Sequence, residues 1–150
     1  MGIYAHSAYN GGIVMTRSEA RRNALELLFE REFRQDESNE EIFATSVENR
    51  EIETDPYIKT VFFGVCENAD AIDEEINKNS KGWKTNRLSK VSRSILRLCV
   101  YEMLYEKDIP LRVSINEGIE LAKLYEDEKA RPFINGVLNA VKNNIGEDAE

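Results

Sequence analysis

Apolar positions recur along this chain at spacings of three and four, and no segment sustains the two-residue alternation of a half-buried strand. Thr16 with Glu19 fits a capping box and predicts a helix to about Arg34, with Ala20, Ala24, Leu27 and Leu28 facing inward. Ser38 with Glu41 is a second box, opening a helix that carries Ile42, Phe43 and Val47. Thr54-Asp55-Pro56 marks a third start, because proline suits the first helical position. One long helix is predicted to follow, placing Ile58, Val61, Phe62, Val65, Ala69, Ile72 and Ile76 on one stripe. Asn79-Ser80-Lys81-Gly82 ends it. A short element at Thr85–Leu88 leads into a helix from about Ser89 to Lys107. Its residues Ile95, Leu96, Leu98, Cys99, Val100, Tyr101, Met103 and Leu104 cover most of the circumference. A helix apolar nearly all round is buried on most sides, so this one is the expected centre of the fold.

Asp108-Ile109-Pro110 breaks that helix, and Val113–Val141 reads as a closing pair joined by a charged turn. The first member carries Ile115, Ile119 and Ala122, with Asn116 and Glu117 beside them. The second carries Phe133, Ile134, Val137, Leu138 and Val141, with Asn135 and Gly136 among them. Asparagine and glycine are poor helix formers, so Asn116, Asn135 and Gly136 are expected to close helix–helix contacts or satisfy buried polar groups. The count is six or seven helices, and an all-α architecture of helix packed on helix is what buries these stripes.

Composition narrows the picture without redirecting it. With 150 residues, 41% hydrophobic and 32% charged, the chain has globular composition and length for one domain. No apolar run approaches the roughly 18 residues of a membrane span, so no membrane partner is expected and the location read is cytoplasmic. Residues 1–14 do not resemble a secretion signal and are read as a disordered leader or a non-native addition. Residues 15–145 form the domain, and 146–150 an acidic tail. Cys66 and Cys99 fall among apolar residues and read as two buried thiols rather than a disulfide.

Residue inventory argues against an enzyme. The one histidine, His6, lies in the leader, which removes Ser-His, Cys-His and His-metal sites. There is no glycine-rich phosphate loop. Glu117 and Glu120, spaced i,i+3, read as solvated face rather than as a catalytic or metal pair. No cofactor is expected.

Charge is where binding chemistry enters. The formal net charge is −8, but it is unevenly spread. Residues 36–55 hold eight acids and one arginine, whereas Ser80–Tyr101 holds six bases and no acid. Locally basic surface is what counts for phosphate contact. Arg17 and Arg21 share one side of the first helix, with Arg22 about 100° around it. Clustered arginines suit fork-like phosphate contacts; Glu19, Glu26 and Glu30 on the same helix make ordinary ion pairing the competing reading. Lys129 and Arg131 flank Phe133, the pattern of an aromatic that stacks a base between cations, or else of a core phenylalanine beside a charged turn. Ser92, Arg93 and Arg97 lie on the polar edge of the central helix, as solvated face or partner surface.

These residues also carry a resemblance. The run VSRSILRLCVYEMLYEKDIPLRVSINEGIELAKLYEDEKARPFINGVLNAV, with Leu96-Arg97 and Glu102, Ile115–Lys123 and Phe133–Leu138 as its distinctive parts, resembles the NusB family of bacterial transcription antitermination factors. The resemblance reaches back to the first helix, through Arg21-Arg22 and Leu28-Phe29, and covers roughly Thr16 to Val141. It implies an all-helical fold of two small bundles packed together. It implies a non-enzymatic factor that binds boxA RNA jointly with NusE, a ribosomal protein, and joins an antitermination complex with RNA polymerase. By position, Arg17, Arg21, Arg22, Lys129, Arg131 and Phe133 become candidate RNA contacts, and Phe29, Ser92 and Arg93 candidate NusE contacts. Arg22 stands where an acid is common in the family, and Glu19 interrupts the arginine run. The alternatives are a NusB-like targeting module of an RNA methyltransferase and a structural homodimer with its first helix in the interface.

Overall fold

The computed structural model describes residues 15–50 and 55–146. The leader with His6, the Thr54 cap position and the tail beyond Gly146 lie outside the described residues. Those described form seven α-helices and one 3-10 turn. None of the helices is long and apolar enough to cross a membrane. The chain divides into two compact units, Met1–Cys66 and Glu67–Glu150.

In the first unit, α1 (Arg17–Arg31) opens as expected: the Thr16 hydroxyl accepts from the Glu19 amide and the Glu19 carboxylate from the Thr16 amide, both at 3.0 Å. It ends three residues earlier than the periodicity predicts. The amides of Glu32, Phe33 and Arg34 turn back to carbonyls three residues behind them, which satisfies the last carbonyls and stops the helix. The guanidinium of Arg34 then bonds Glu30 and Glu37 and holds the carboxyl of Glu37 below its usual range. α2 (Asn39–Arg50) starts on the Ser38–Glu41 box, both bonds at 3.1 Å. α3 (Pro56–Glu67) starts with the Asp55 carboxylate accepting from the Tyr57 amide at 2.7 Å. Phe43 of α2 meets Phe63 and Phe62 of α3 at ring separations of 5.3 and 5.8 Å.

The long helix expected over residues 56–78 is two helices. Asn68 (φ −114°, ψ 23°) interrupts it, and α4 (Ala69–Lys78) starts afresh with the Ile72 amide donating to the Asn68 carbonyl. A single irregular residue leaves the spacing of three and four nearly intact, so periodicity does not register the break. Asparagine, weak inside a helix and favoured at its start, is where it falls.

In the second unit a 3-10 turn (Thr85–Arg87) precedes α5 (Lys90–Tyr105), which is buried on nearly every face as its composition predicts. α5 packs against α4, α6 (Leu111–Tyr125) and α7 (Ala130–Ile145). Arg97 joins α5 to α4 through two bonds to Asp73, each 2.8 Å. Inside, the Ser114 hydroxyl of α6 donates to the fully buried Glu102 carboxylate at 2.7 Å. Neither Asn116, Asn135 nor Gly136 closes a helix contact: all three are exposed. The close approach is made by Gly118 instead. A Cβ there would stand 2.8 Å from Leu138 Cδ1 and 2.9 Å from Cys99 Sγ. Cys99 is buried and Cys66 half-buried.

Candidate nucleic-acid interface

Six expected RNA-contact residues fall on two units, three on each. In the first unit, Arg17 and Arg21 are drawn to one aromatic ring. Their guanidinium carbons lie 4.4 and 5.6 Å from the centroid of Tyr57, the second residue of α3. Such contacts are favourable by about 0.5–2 kcal/mol. Arg21 is only 2% exposed, so its guanidinium packs inside the unit rather than presenting a fork to a phosphate. Arg17 and Arg22 are half-buried and keep an outward edge. One partner of Arg21 lies 36 positions away, which spacing along α1 does not reveal.

In the second unit the charged turn opens α7. The Asp127 carboxylate accepts from the amides of Lys129 and Ala130, both at 3.1 Å, and so fixes the turn. Lys129 projects into solvent. Arg131 is half-buried; its Nε is shielded from water and has no hydrogen-bond partner among the described residues. Phe133 is half-buried, on the edge of α7 rather than on the stripe of Ile134, Val137, Leu138 and Val141 that enters the core. It lines a cleft of about 330 Å³ whose other wall is the segment following α4. Trp83 and Lys81 stand on that wall, neither of them marked by spacing. The signal available was the position of the single tryptophan within the acid-free stretch from Ser80 to Tyr101.

The expected partner-contact residues divide similarly. Phe29 is half-buried and packs edge-on against Phe33 (centroids 5.1 Å apart), which is 63% exposed. Ser92 faces inward: its hydroxyl and that of Ser89 both donate to Glu126 Oε2 at 2.7 Å. Arg93 donates to the carbonyl of Thr85 at 3.0 Å, closing the 3-10 turn onto α5. Both residues therefore anchor the start of α5 within its own unit.

The profile of the NusB family matches residues 18–143 of this chain. The transcription antitermination protein NusB of Bacillus subtilis (strain 168) is 44% identical over 131 residues, spanning 87% of this chain and 98% of that protein. Among solved structures, T. maritima NusB superposes with a TM-score of 0.77 at 37% identity, covering 86% of this chain and 92% of the other. A chain from the structure of antitermination factors NusB and NusE in complex with dsRNA superposes at 0.76 with 31% identity, covering 85% and 96%.

Proposed function

The chain belongs to the NusB family of transcription antitermination proteins, and from that premise we propose that it binds boxA-type single-stranded RNA together with NusE and joins an RNA polymerase antitermination complex in the cytoplasm. It acts by binding, not catalysis. The observation that carries this reading is the start of α7, where half-buried Phe133 lines a cleft and exposed Lys129 and half-buried Arg131 precede it in the chain. Cations there hold phosphates and the aromatic edge receives a base. In the first unit, Arg17 and Arg22 supply the outward charge, while Arg21 positions α1 against Tyr57. Half-buried Phe29 with exposed Phe33 is the proposed NusE contact. A net charge of −8 suits a factor whose RNA affinity rises when a basic ribosomal protein completes the surface.

The test is fluorescence anisotropy of a labelled boxA-type RNA against the intact chain, with and without NusE, over a series of salt concentrations. Replacing Lys129 and Arg131 by alanine should weaken binding and reduce the salt slope by about 1.4, for two single-strand phosphate contacts. Unchanged affinity and slope in a variant of normal helix content would exclude this site.

A further inference from the structure

Trp83 is 55% exposed, an unusual position for the largest apolar side chain in the molecule. Its place is fixed by the backbone. Lys81 (φ 52°) and Gly82 (φ 92°) both adopt left-handed conformations, so the chain reverses sharply after α4. The Ser80 hydroxyl donates to the Trp83 carbonyl and the Trp83 amide to the Ser80 carbonyl, closing the turn. This turn puts Trp83 and Lys81 on one wall of the cleft whose other wall carries Pro132, Phe133 and Gly136 of α7. A Cβ at Gly136 would meet nothing within 4 Å among the described residues, so open space adjoins that wall.

The electrostatics of the cleft run against those of the chain. Net charge is −8, yet among the described residues no carboxylate lines the cleft and Lys81 does. Lys84 and Lys129, one in each of the segments that supply the walls, are exposed. Arg131 Nε, next to Pro132, is shielded from water without a hydrogen-bond partner among the described residues. The segment before α7 also carries exposed Asp127 and Glu128, so the charge at the cleft itself is that of Lys81. Aromatic walls beside that cation fit a flat ring joined to an anionic backbone. A purely apolar protein side chain would leave the charge unused.

We propose that this cleft takes one unstacked nucleobase of single-stranded RNA, with Trp83 as a stacking wall and Lys81 on a flanking phosphate. The inference rests on the RNA-binding reading of Phe133 and deepens it by adding a base-reading residue from a second segment of the chain. The cleft lies at the small end of the range for ligand sites, which suits one ring system rather than a duplex.

Trp83 is the only tryptophan, so the intact chain reports on its own cleft. Tryptophan emission is followed as a single-stranded boxA-type RNA of about 12 nucleotides is added, while anisotropy of the labelled RNA, with and without NusE, measures binding independently. Emission should be quenched in step with binding. Trp83→Ala should weaken binding by about 5- to 100-fold at unchanged helix content, with Trp83→Phe restoring most of it. An abasic site walked along the RNA should abolish quenching at one position. RNA binding with unchanged emission and an unaffected Trp83→Ala variant overturns the cleft while the RNA reading stands. An intact chain that binds no RNA, even with NusE, removes both. A concentration-dependent blue shift without RNA, matched by dimer in sedimentation, assigns the cleft to a second copy and overturns the proposal.

Discussion

Alanine at Gly118 and at Gly136 should move stability in opposite directions, although both glycines sit inside helices. In isolation either exchange gains about 1 kcal/mol, because glycine is that much worse than alanine in a helix interior. At Gly118 the new methyl group would stand 2.8 Å from Leu138 Cδ1 and 2.9 Å from Cys99 Sγ. Both neighbours are fully buried, so neither swings into solvent. Overpacking of this kind costs about 1–3 kcal/mol, so Gly118→Ala should be destabilising by about 1 kcal/mol net. At Gly136 nothing stands within 4 Å, and the whole gain remains. For a domain of this size 1 kcal/mol moves Tm by about 2–4 °C. Thermal and urea unfolding followed by circular dichroism should therefore show Gly118→Ala below the parent and Gly136→Ala above it. Cys99→Ala removes one of the two colliding atoms. Combined with Gly118→Ala it should recover about 1 kcal/mol relative to the sum of the single changes. A Gly118→Ala protein as stable as the parent, or strictly additive behaviour with Cys99→Ala, would refute the packing argument.

Two further substitutions probe the second unit. Arg97→Ala breaks the paired 2.8 Å bonds to Asp73; both groups are about one-fifth to one-quarter exposed, so urea midpoints should report a loss of about 1–2 kcal/mol, only partly recovered by Arg97→Lys. Tyr101 donates to Glu106 at 2.8 Å, and burial together with that bond pushes its phenol above the ordinary value. Below pH of about 10 folded and unfolded chains both keep the proton, whereas above it only the folded chain does and stability falls. Tyr101→Phe should cost about 1–2 kcal/mol at neutral pH and flatten that alkaline loss; parallel stability curves above the ordinary tyrosine pKa would count against the assignment.

What the sequence made legible was local. Thr16–Glu19, Ser38–Glu41 and Asp55-Pro56 announce their helices because capping needs only residues three apart or adjacent. The encircling apolar pattern of α5 marks a buried helix for the same reason. What spacing does not reveal are contacts made across the chain. Arg21 resembles its surface neighbours in spacing, yet it is buried, with its guanidinium near Tyr57. Ser92 and Arg93 look solvated until Glu126 and the Thr85 carbonyl take their donors. Gly136 looked like the tight packing point because it interrupts an apolar run. Gly118, the actual one, lies between Glu117 and Ile119 with no such mark. The cleft was invisible for the same reason, since Trp83 and Phe133 are 50 positions apart.

The faces of α7 separate the core from the cleft, with Val137 shared between them. Ile134, Val137, Leu138 and Val141 enter the core, and Leu138 reaches the Gly118 contact that sets how closely α6 and α7 approach. Phe133, Gly136 and Ala140 border the cleft, each one residue before a core position. A step of one residue rotates about 100° around a helix, which is enough to move a side chain from the core to the rim. Tight packing on one face thus holds the other rigid, so Phe133 needs no ordering to serve the proposed base contact. This also explains why the sequence leaves Phe133 open between core and surface: the same run FINGVL serves both faces, and the structure puts Phe133 half-buried at the cleft opposite Trp83.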